Sequence, residues 1–126
     1  MSNCACNSNE VLLFACSGGS NVGQLANAAA IQLTQQGNGR MYCLAGLGGD
    51  ISGIIESSKS APIRVAIDGC PVECAKASFR RLGIEPEIAL VVTELGIEKQ
   101  HSFDLPAENV TAICQAVAEK INRQRA

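Results

Sequence analysis

Residues 63–74 read IRVAIDGCPVEC and join a predicted strand to a predicted helix. The first half is apolar and rich in β-branched side chains, as is typical of a buried strand. Pro71 suits a first helical position, because its missing N–H would have no intrahelical partner there. Cys70 would then be the N-cap and Glu73 the third helical residue of a capping box. We therefore expect Cys70 and Cys74 on one side of the first helical turn, at the positive end of the helix dipole.

The same alternation of strand and helix runs through the rest of the chain. Residues 11–15 are wholly apolar, as expected of a strand buried on both faces, and 40–45 and 88–92 also read as strands. The predicted helices end near residues 36, 57, 82 and 123. Asp50 is the expected N-terminal cap of the second helix. Residues 94–104 have no clear pattern. This order predicts a three-layer α/β fold, Rossmann- or flavodoxin-like, with helices on both faces of about four mostly parallel strands. A candidate strand order is 2-1-3-4.

Composition limits the classes of function. The chain of 126 residues has a net charge of −2 with mixed signs, which indicates neither a nucleic-acid nor a membrane partner. No apolar run approaches the ~18–20 residues of a membrane span, and the N-terminus does not resemble a signal peptide. We expect a cytoplasmic protein with a flexible or disordered leader over 1–9, carrying Cys4 and Cys6, and a single α/β domain over 10–126. Seven cysteines in a reducing compartment are better explained as ligands or nucleophiles than as disulfides.

Three cysteines recur at equal intervals. Cys16, Cys43 and Cys70 are each 27 positions apart, which is close to the ~30 residues of one strand–helix–strand unit. Each therefore follows its own predicted strand, at the sheet edge where open α/β folds bind ligands. Neighbouring strands are ~4.8 Å apart, so three sulfurs together with Cys74 can converge on one ion at ~2.3 Å each. Zn²⁺ is the expected metal, since soft thiolate ligands select it.

These motifs resemble the DGC family, small bacterial and archaeal domains proposed to bind zinc and named for Asp-Gly-Cys, here residues 68–70. The resemblance spans nearly the whole chain after the leader. The similar segments are residues 16–20, 42–46, 48–50, 68–74 and 93–97. The resemblance implies one Zn²⁺ per chain, bound by Cys16, Cys43, Cys70 and Cys74, and it implies no particular reaction.

Two classes of function stay open at this point. Four thiolates would close the zinc tetrahedron and leave no position for water or substrate, which favours a non-catalytic module that senses, stores or transfers metal or contacts a protein partner. The alternative is a redox protein or a hydrolytic or transferase enzyme, in which one cysteine at the same edge acts as nucleophile. An iron–sulfur cluster protein is a variant, because four thiolates also suit a cluster. The oligomeric state is not predicted.

Several other residues have simpler interpretations. Cys114 lies on the apolar face of the last predicted helix and is expected in the core. His101 is the only histidine, and its polar surroundings favour a surface position over a ligand role. Asp68 is interpreted as a strand-end cap in preference to a group that orients the cysteine loop, and Glu73 as a helix-start residue in preference to a general base. The glycine loop after Cys16 lacks both common nucleotide-binding patterns, so close backbone packing is favoured over phosphate binding.

Overall fold

The structure, a computed structural model, describes residues 10–125 and contains a four-stranded sheet in which every pairing is parallel. The strands are β1 (Val11–Ala15), β2 (Arg40–Met41), β3 (Ile63–Asp68) and β4 (Ile88–Val91). Their order is β2-β1-β3-β4. The predicted α/β class and the predicted order 2-1-3-4 are both confirmed. The prediction of a leader over 1–9, with Cys4 and Cys6, concerns residues outside the described range.

In the part of the chain that the structure describes, five α-helices connect or follow these strands. They are α1 (Asn21–Gln35), α2 (Leu44–Gly48), α3 (Ser52–Ser60), α4 (Cys74–Arg81) and α5 (Ala107–Arg125), and a 3₁₀ turn at Val92–Leu95 follows β4. Within residues 10–125, no helix combines the length and the apolar character that crossing a membrane would require.

Strand β1 is buried on both faces, and its alternate side chains enter two separate cores. Val11 and Leu13 pack in a core built with α1 and α5. Leu12 and Phe14 pack in the other core, which is covered by α2, α3 and α4. There, the rings of Phe14 and Phe79 meet edge to face with centroids 4.7 Å apart, a favourable geometry for aromatic pairs. The helices therefore form layers on both sides of the sheet, as the wholly apolar run 11–15 predicts.

The start of α4 differs from the prediction. A helix that begins at Pro71 with a capping box of Cys70 and Glu73 is wrong, because α4 begins at Cys74 and Glu73 has a left-handed backbone with φ of 56°. The cap comes instead from Asp68, whose carboxylate oxygens accept hydrogen bonds from the N–H groups of Ala75 at 2.7 Å and of residue 76 at 3.1 Å. These N–H groups are two of the orphan donors of the first helical turn. Residues 69–73 are thereby released to form a turn before the helix.

The region after β2 also differs. The predicted strand 40–45 ends at Met41, and the predicted glycine loop is the short helix α2. Leu47 of this helix is fully buried in the core on this side of the sheet, as expected for the apolar face of a helix. Asp50 does not cap the next helix: it has a left-handed backbone with φ of 59°, and α3 extends from Ser52 to Ser60. The reversal at Asp50 lets two helices follow one another directly.

An ion pair links the two strands at one edge of the sheet. Arg64 of β3 donates to Glu87 from its backbone N–H at 2.7 Å and from two guanidinium nitrogens at 3.1 and 2.6 Å. Both side chains are largely buried, with 15% and 23% exposure. Burial alone would raise the pKa of Glu87, but the hydrogen bonds and charge of Arg64 outweigh it and lower that pKa. The carboxylate therefore stabilises the fold in its ionised form.

We expect Glu87→Gln to lower the free energy of unfolding by about 2 kcal/mol at pH 7, since it removes charge-assisted hydrogen bonds. The pKa of the Glu87 carboxyl group is lower in the folded protein than its value of about 4.3 in the unfolded chain. The ionised group therefore stabilises the fold at pH values above the unfolded pKa, and this stabilisation is lost as the pH falls through the folded-state pKa. The difference in the free energy of unfolding between the wild type and the variant should therefore shrink towards pH 3. Urea unfolding at both pH values measures it.

Glu85→Gln is the matched control, because Glu85 is 71% exposed and its nearest Arg80 nitrogen is 3.7 Å away. Its effect should stay within about 0.5 kcal/mol at both pH values. A Glu87→Gln effect that is the same at pH 7 and pH 3 would contradict the assignment.

Candidate functional site

Four cysteines lie at the carboxyl ends of the three neighbouring strands β2, β1 and β3. Cys16 directly follows β1, Cys43 lies just beyond β2, Cys70 lies just beyond β3, and Cys74 is the first residue of α4. The predicted positions of Cys16, Cys43 and Cys70, each after its own strand, are confirmed. The prediction that Cys70 and Cys74 share one helical turn is wrong, because Cys70 lies in the turn before α4.

Cys16 lies at the junction of the two cores. Its side chain is half-buried and contacts residues of both. Its backbone N–H donates to the carbonyl of Ile67 at 3.1 Å, which extends the β1–β3 pairing by one bond. Its sulfur accepts a hydrogen bond from the N–H of Gly69 at 3.3 Å. Burial raises the pKa of the Cys16 thiol, while hydrogen bonds from the backbone of Gly18 and Gly69 act in the opposite direction. Cys16 is therefore the sulfur that is most firmly held by the fold.

The first turn of α1 touches both the turn after β3 and the loop after β1, backbone to backbone. A Cβ atom at Gly69 would lie 2.7 Å from both the nitrogen of Gly23 and the carbonyl carbon of Val22. A Cβ atom at Gly23 would lie 2.6 Å from the carbonyl oxygen of Gly18. Only glycine allows such an approach. This contact confirms the close-packing interpretation of the glycine loop after Cys16.

Two cavities open at this edge of the sheet, and Cys16 lines both. The smaller, which we call the thiol cavity, has a volume of about 220 Å³ and is lined by Cys16, Cys70 and Cys74 together with glycine backbone. The larger, of about 580 Å³, is lined by Cys16 and Cys43. The structure thus brings three of the four predicted ligands to one cavity, and Cys43 to a neighbouring one.

The donor set of the thiol cavity suits a soft metal ion. Three cysteine sulfurs are the ligand type that Zn²⁺ and iron–sulfur clusters take. Within residues 10–125, however, no three His, Cys, Asp or Glu side chains are arranged so that they could hold a metal ion together. Metal binding would therefore require the cysteine side chains to rearrange, and the four-cysteine site remains a prediction.

Sequence reasoning gave no functional role to two basic residues that line the thiol cavity, Lys99 and His101. The ammonium nitrogen of Lys99 lies 3.5 Å from the sulfur of Cys70. Both residues belong to the segment 96–106, which joins the 3₁₀ turn to α5, and both lie within residues 94–104, which have no clear sequence pattern. No local signal could have found them, since the contacts that place this segment join it to residue 21, nearly 80 positions away.

Three other residues singled out in the sequence, Asp68, Glu73 and Cys114, also have defined positions in the structure. The structural interpretation of Asp68 is supported, since its buried carboxylate caps α4; burial raises the pKa of Asp68, and the two N–H donors partly offset this. Glu73 lies immediately before α4, and its carboxylate is 4.0 Å from the ammonium group of Lys76. Cys114 is only 4% exposed and its sulfur lies 3.5 Å from the carbonyl oxygen of Ala29, so its core position is confirmed. Burial raises the pKa of Cys114.

The comparison with family models agrees with these motifs: a DGC domain model matches residues 12–117. The chain belongs to the DGC family. The anaerobic and virulence modulator AnvM of Pseudomonas aeruginosa PAO1 is 38% identical to it over 98 residues, which cover 78% of this chain and 75% of AnvM. No solved structure matches the chain. The matched DGC domain includes both cysteine cavities.

The left-handed conformation of Glu73 leads to a test of strain beside the cavity. A residue with a Cβ atom is disfavoured there by about 1–2 kcal/mol. We therefore expect Glu73→Gly to raise the free energy of unfolding of the metal-free protein by about 0.5–1 kcal/mol, measured by urea unfolding. Glu73→Ala is the control: it also removes the carboxylate but keeps the Cβ atom, and should not stabilise. Equal effects of the two substitutions would show that the backbone conformation is not the cause.

Proposed function

We propose that this DGC domain is a zinc-binding regulatory module that senses or transfers metal at the carboxyl edge of its sheet. The observation that carries the proposal is the convergence of Cys16, Cys70 and Cys74 on one small cavity. Cys43 is the fourth ligand implied by the family resemblance. Zn²⁺ bound by four protein ligands has no open position, which favours sensing or transfer over catalysis.

The placement of the three sulfurs suits a regulatory role. Cys16 follows β1, Cys70 lies in the turn after β3, and Cys74 begins α4. A metal ion that joined them would therefore tie together three segments of the chain. The name of the relative AnvM, an anaerobic and virulence modulator, also supports a regulatory role for this chain.

We expect Cys16→Ser, Cys70→Ser and Cys74→Ser each to lower zinc retention strongly, because each removes a thiolate ligand. Zinc per chain is measured by elemental analysis after anaerobic purification and dialysis. Cys114→Val is the control, since Cys114 lies in the core between α1 and α5; it should retain the zinc content of wild type. Full zinc in all three serine variants would refute the proposal. A brown wild-type protein that contains iron and sulfide would indicate a cluster in its place.

Removal of the metal should loosen only the segments at the carboxyl edge of the sheet. The core supplies the stability: both faces of the sheet are covered, and apolar burial contributes about 25 cal/mol per Å². We expect chelated protein to keep its helix and strand signals by circular dichroism. Amide hydrogen exchange should become faster in residues 17–23, 44–50 and 68–74. Loss of protection throughout the strands would instead make the metal a structural element of the fold, as in small zinc fingers.

One observation favours a second candidate function. The ammonium group of Lys99 lies 3.5 Å from the Cys70 sulfur, and a positive neighbour is also a feature of nucleophilic cysteines. The alternative is therefore a thiol enzyme or redox protein with Cys70 as its reactive group. A thiol-specific reagent distinguishes the two: a zinc module has all of its ligand thiols protected until chelation, whereas an enzyme of this type has one thiol that reacts rapidly before chelation.

A further inference from the structure

The cavity that gathers three of the cysteines also contains the only histidine of the chain. His101 lines the thiol cavity with Cys16, Cys70 and Cys74. Imidazole nitrogen is, with thiolate, the usual protein ligand of zinc, and three cysteines with one histidine form a common tetrahedral set. Cys43 lines the neighbouring cavity, which it shares only with Cys16 among these four residues. The thiol cavity is therefore lined by four residues whose donor types suit zinc, and their side chains would have to rearrange to hold one ion together.

A set of partly buried hydrogen bonds holds the segment that carries His101. Asn21, the first residue of α1, is only 7% exposed. Its amide nitrogen donates to the carbonyl of Glu98 at 2.9 Å, and its side-chain oxygen accepts from the N–H of Gln100 at 2.6 Å. Its backbone N–H donates to the carbonyl of Gln100 at 3.0 Å. Both backbone polar groups of Gln100 are thus fixed, and its two neighbours, Lys99 and His101, both line the thiol cavity.

Charge also favours a histidine as the fourth ligand. Zn²⁺ with four thiolates has a net charge of −2, whereas three thiolates and a neutral imidazole give −1. The ammonium group of Lys99 lies 3.5 Å from the Cys70 sulfur. It neutralises the −1 charge of a site with three cysteines and one histidine, but only half of the −2 charge of a site with four cysteines. A partly buried site is more stable when its charge is neutralised.

We infer that His101 completes a three-cysteine, one-histidine metal site with Cys16, Cys70 and Cys74, and that Cys43 is not a ligand. The inference rests on the proposed function and specifies its fourth ligand. Asn21 is a positioning residue: it touches no metal, and its hydrogen bonds keep segment 98–101 against the cavity. The thiol of Cys43 stays free in the neighbouring cavity.

Cobalt substitution tests the ligand set directly. The full chain is loaded anaerobically with one equivalent of Co²⁺, and the charge-transfer and d–d absorption bands report the number of thiolates and the donor type. The experiment is repeated with Cys4→Ser and Cys6→Ser together, so that the N-terminal thiols cannot supply a sulfur. We expect His101→Ala to change the d–d bands, keep three-thiolate charge transfer and weaken Zn²⁺ affinity by more than about 100-fold. Cys43→Ser should leave the spectrum unchanged and the affinity within about twofold.

Asn21→Ala tests the positioning role. The ligands stay the same, so the d–d spectrum of the saturated Co²⁺ protein should not change, while the Zn²⁺ affinity should fall about tenfold. Ser102→Ala, next to His101 but outside the lining of the cavity, is the matched control and should match wild type. Circular dichroism verifies that each variant is folded.

The results separate this inference from the proposed function. An unchanged Co²⁺ spectrum in His101→Ala, or loss of metal in Cys43→Ser, overturns the histidine assignment and leaves zinc binding by the cysteines intact. A wild-type protein that binds neither Zn²⁺ nor Co²⁺ overturns both.

Discussion

The site depends on the contact between the turn that follows β3 and the first turn of α1. The strands β1 and β3 pair in parallel from Val11 with Ile63 to Ala15 with Ile67, and beyond them this turn and the helix meet without side chains between them. The backbone of Gly69 lies so close to that of Gly23 that a single added carbon would not fit. This approach brings the N–H of Gly69 to the sulfur of Cys16. It also sets the first turn of α1 beside the DGC turn, and Asn21 lies in that first turn.

The fold was predictable from sequence where burial alone determines the structure. The apolar run 11–15 and the β-branched run before Asp68 are too hydrophobic to lie at the surface, so the α/β class and the strand-end cysteines follow from hydrophobic pattern and spacing. The strand order 2-1-3-4 was a candidate, because neither the pattern nor the spacing determines which strands pair. The start of α4 was not predictable in the same way. Its cap is Asp68, which lies before the turn. The usual capping residue is at the N-cap, directly before the first helical residue. The pattern at 70–73 therefore resembled a capping box that the folded chain does not use.

The candidate site was predictable only in part, for a related reason. Cys16, Cys43 and Cys70 could be found because one repeating strand–helix unit sets their spacing. His101 could not, since the segment around it has no helical or strand periodicity. It is placed by hydrogen bonds to Asn21 that span nearly 80 residues. Contacts of this kind depend on two complementary polar groups, and they leave no repeating pattern in the sequence.

The brevity of β2 has a consequence for how the protein meets other proteins. This strand forms one edge of the sheet and consists of Arg40 and Met41 alone. Exposed edges are where sheets recruit foreign strands, into complexes or into aggregates, and very short edge strands limit such recruitment. A partner that bound here by adding a strand could form backbone hydrogen bonds with only two strand residues. Recognition of this protein at that edge would therefore depend on side chains and surface shape, and growth of the sheet from one molecule to the next is disfavoured at β2.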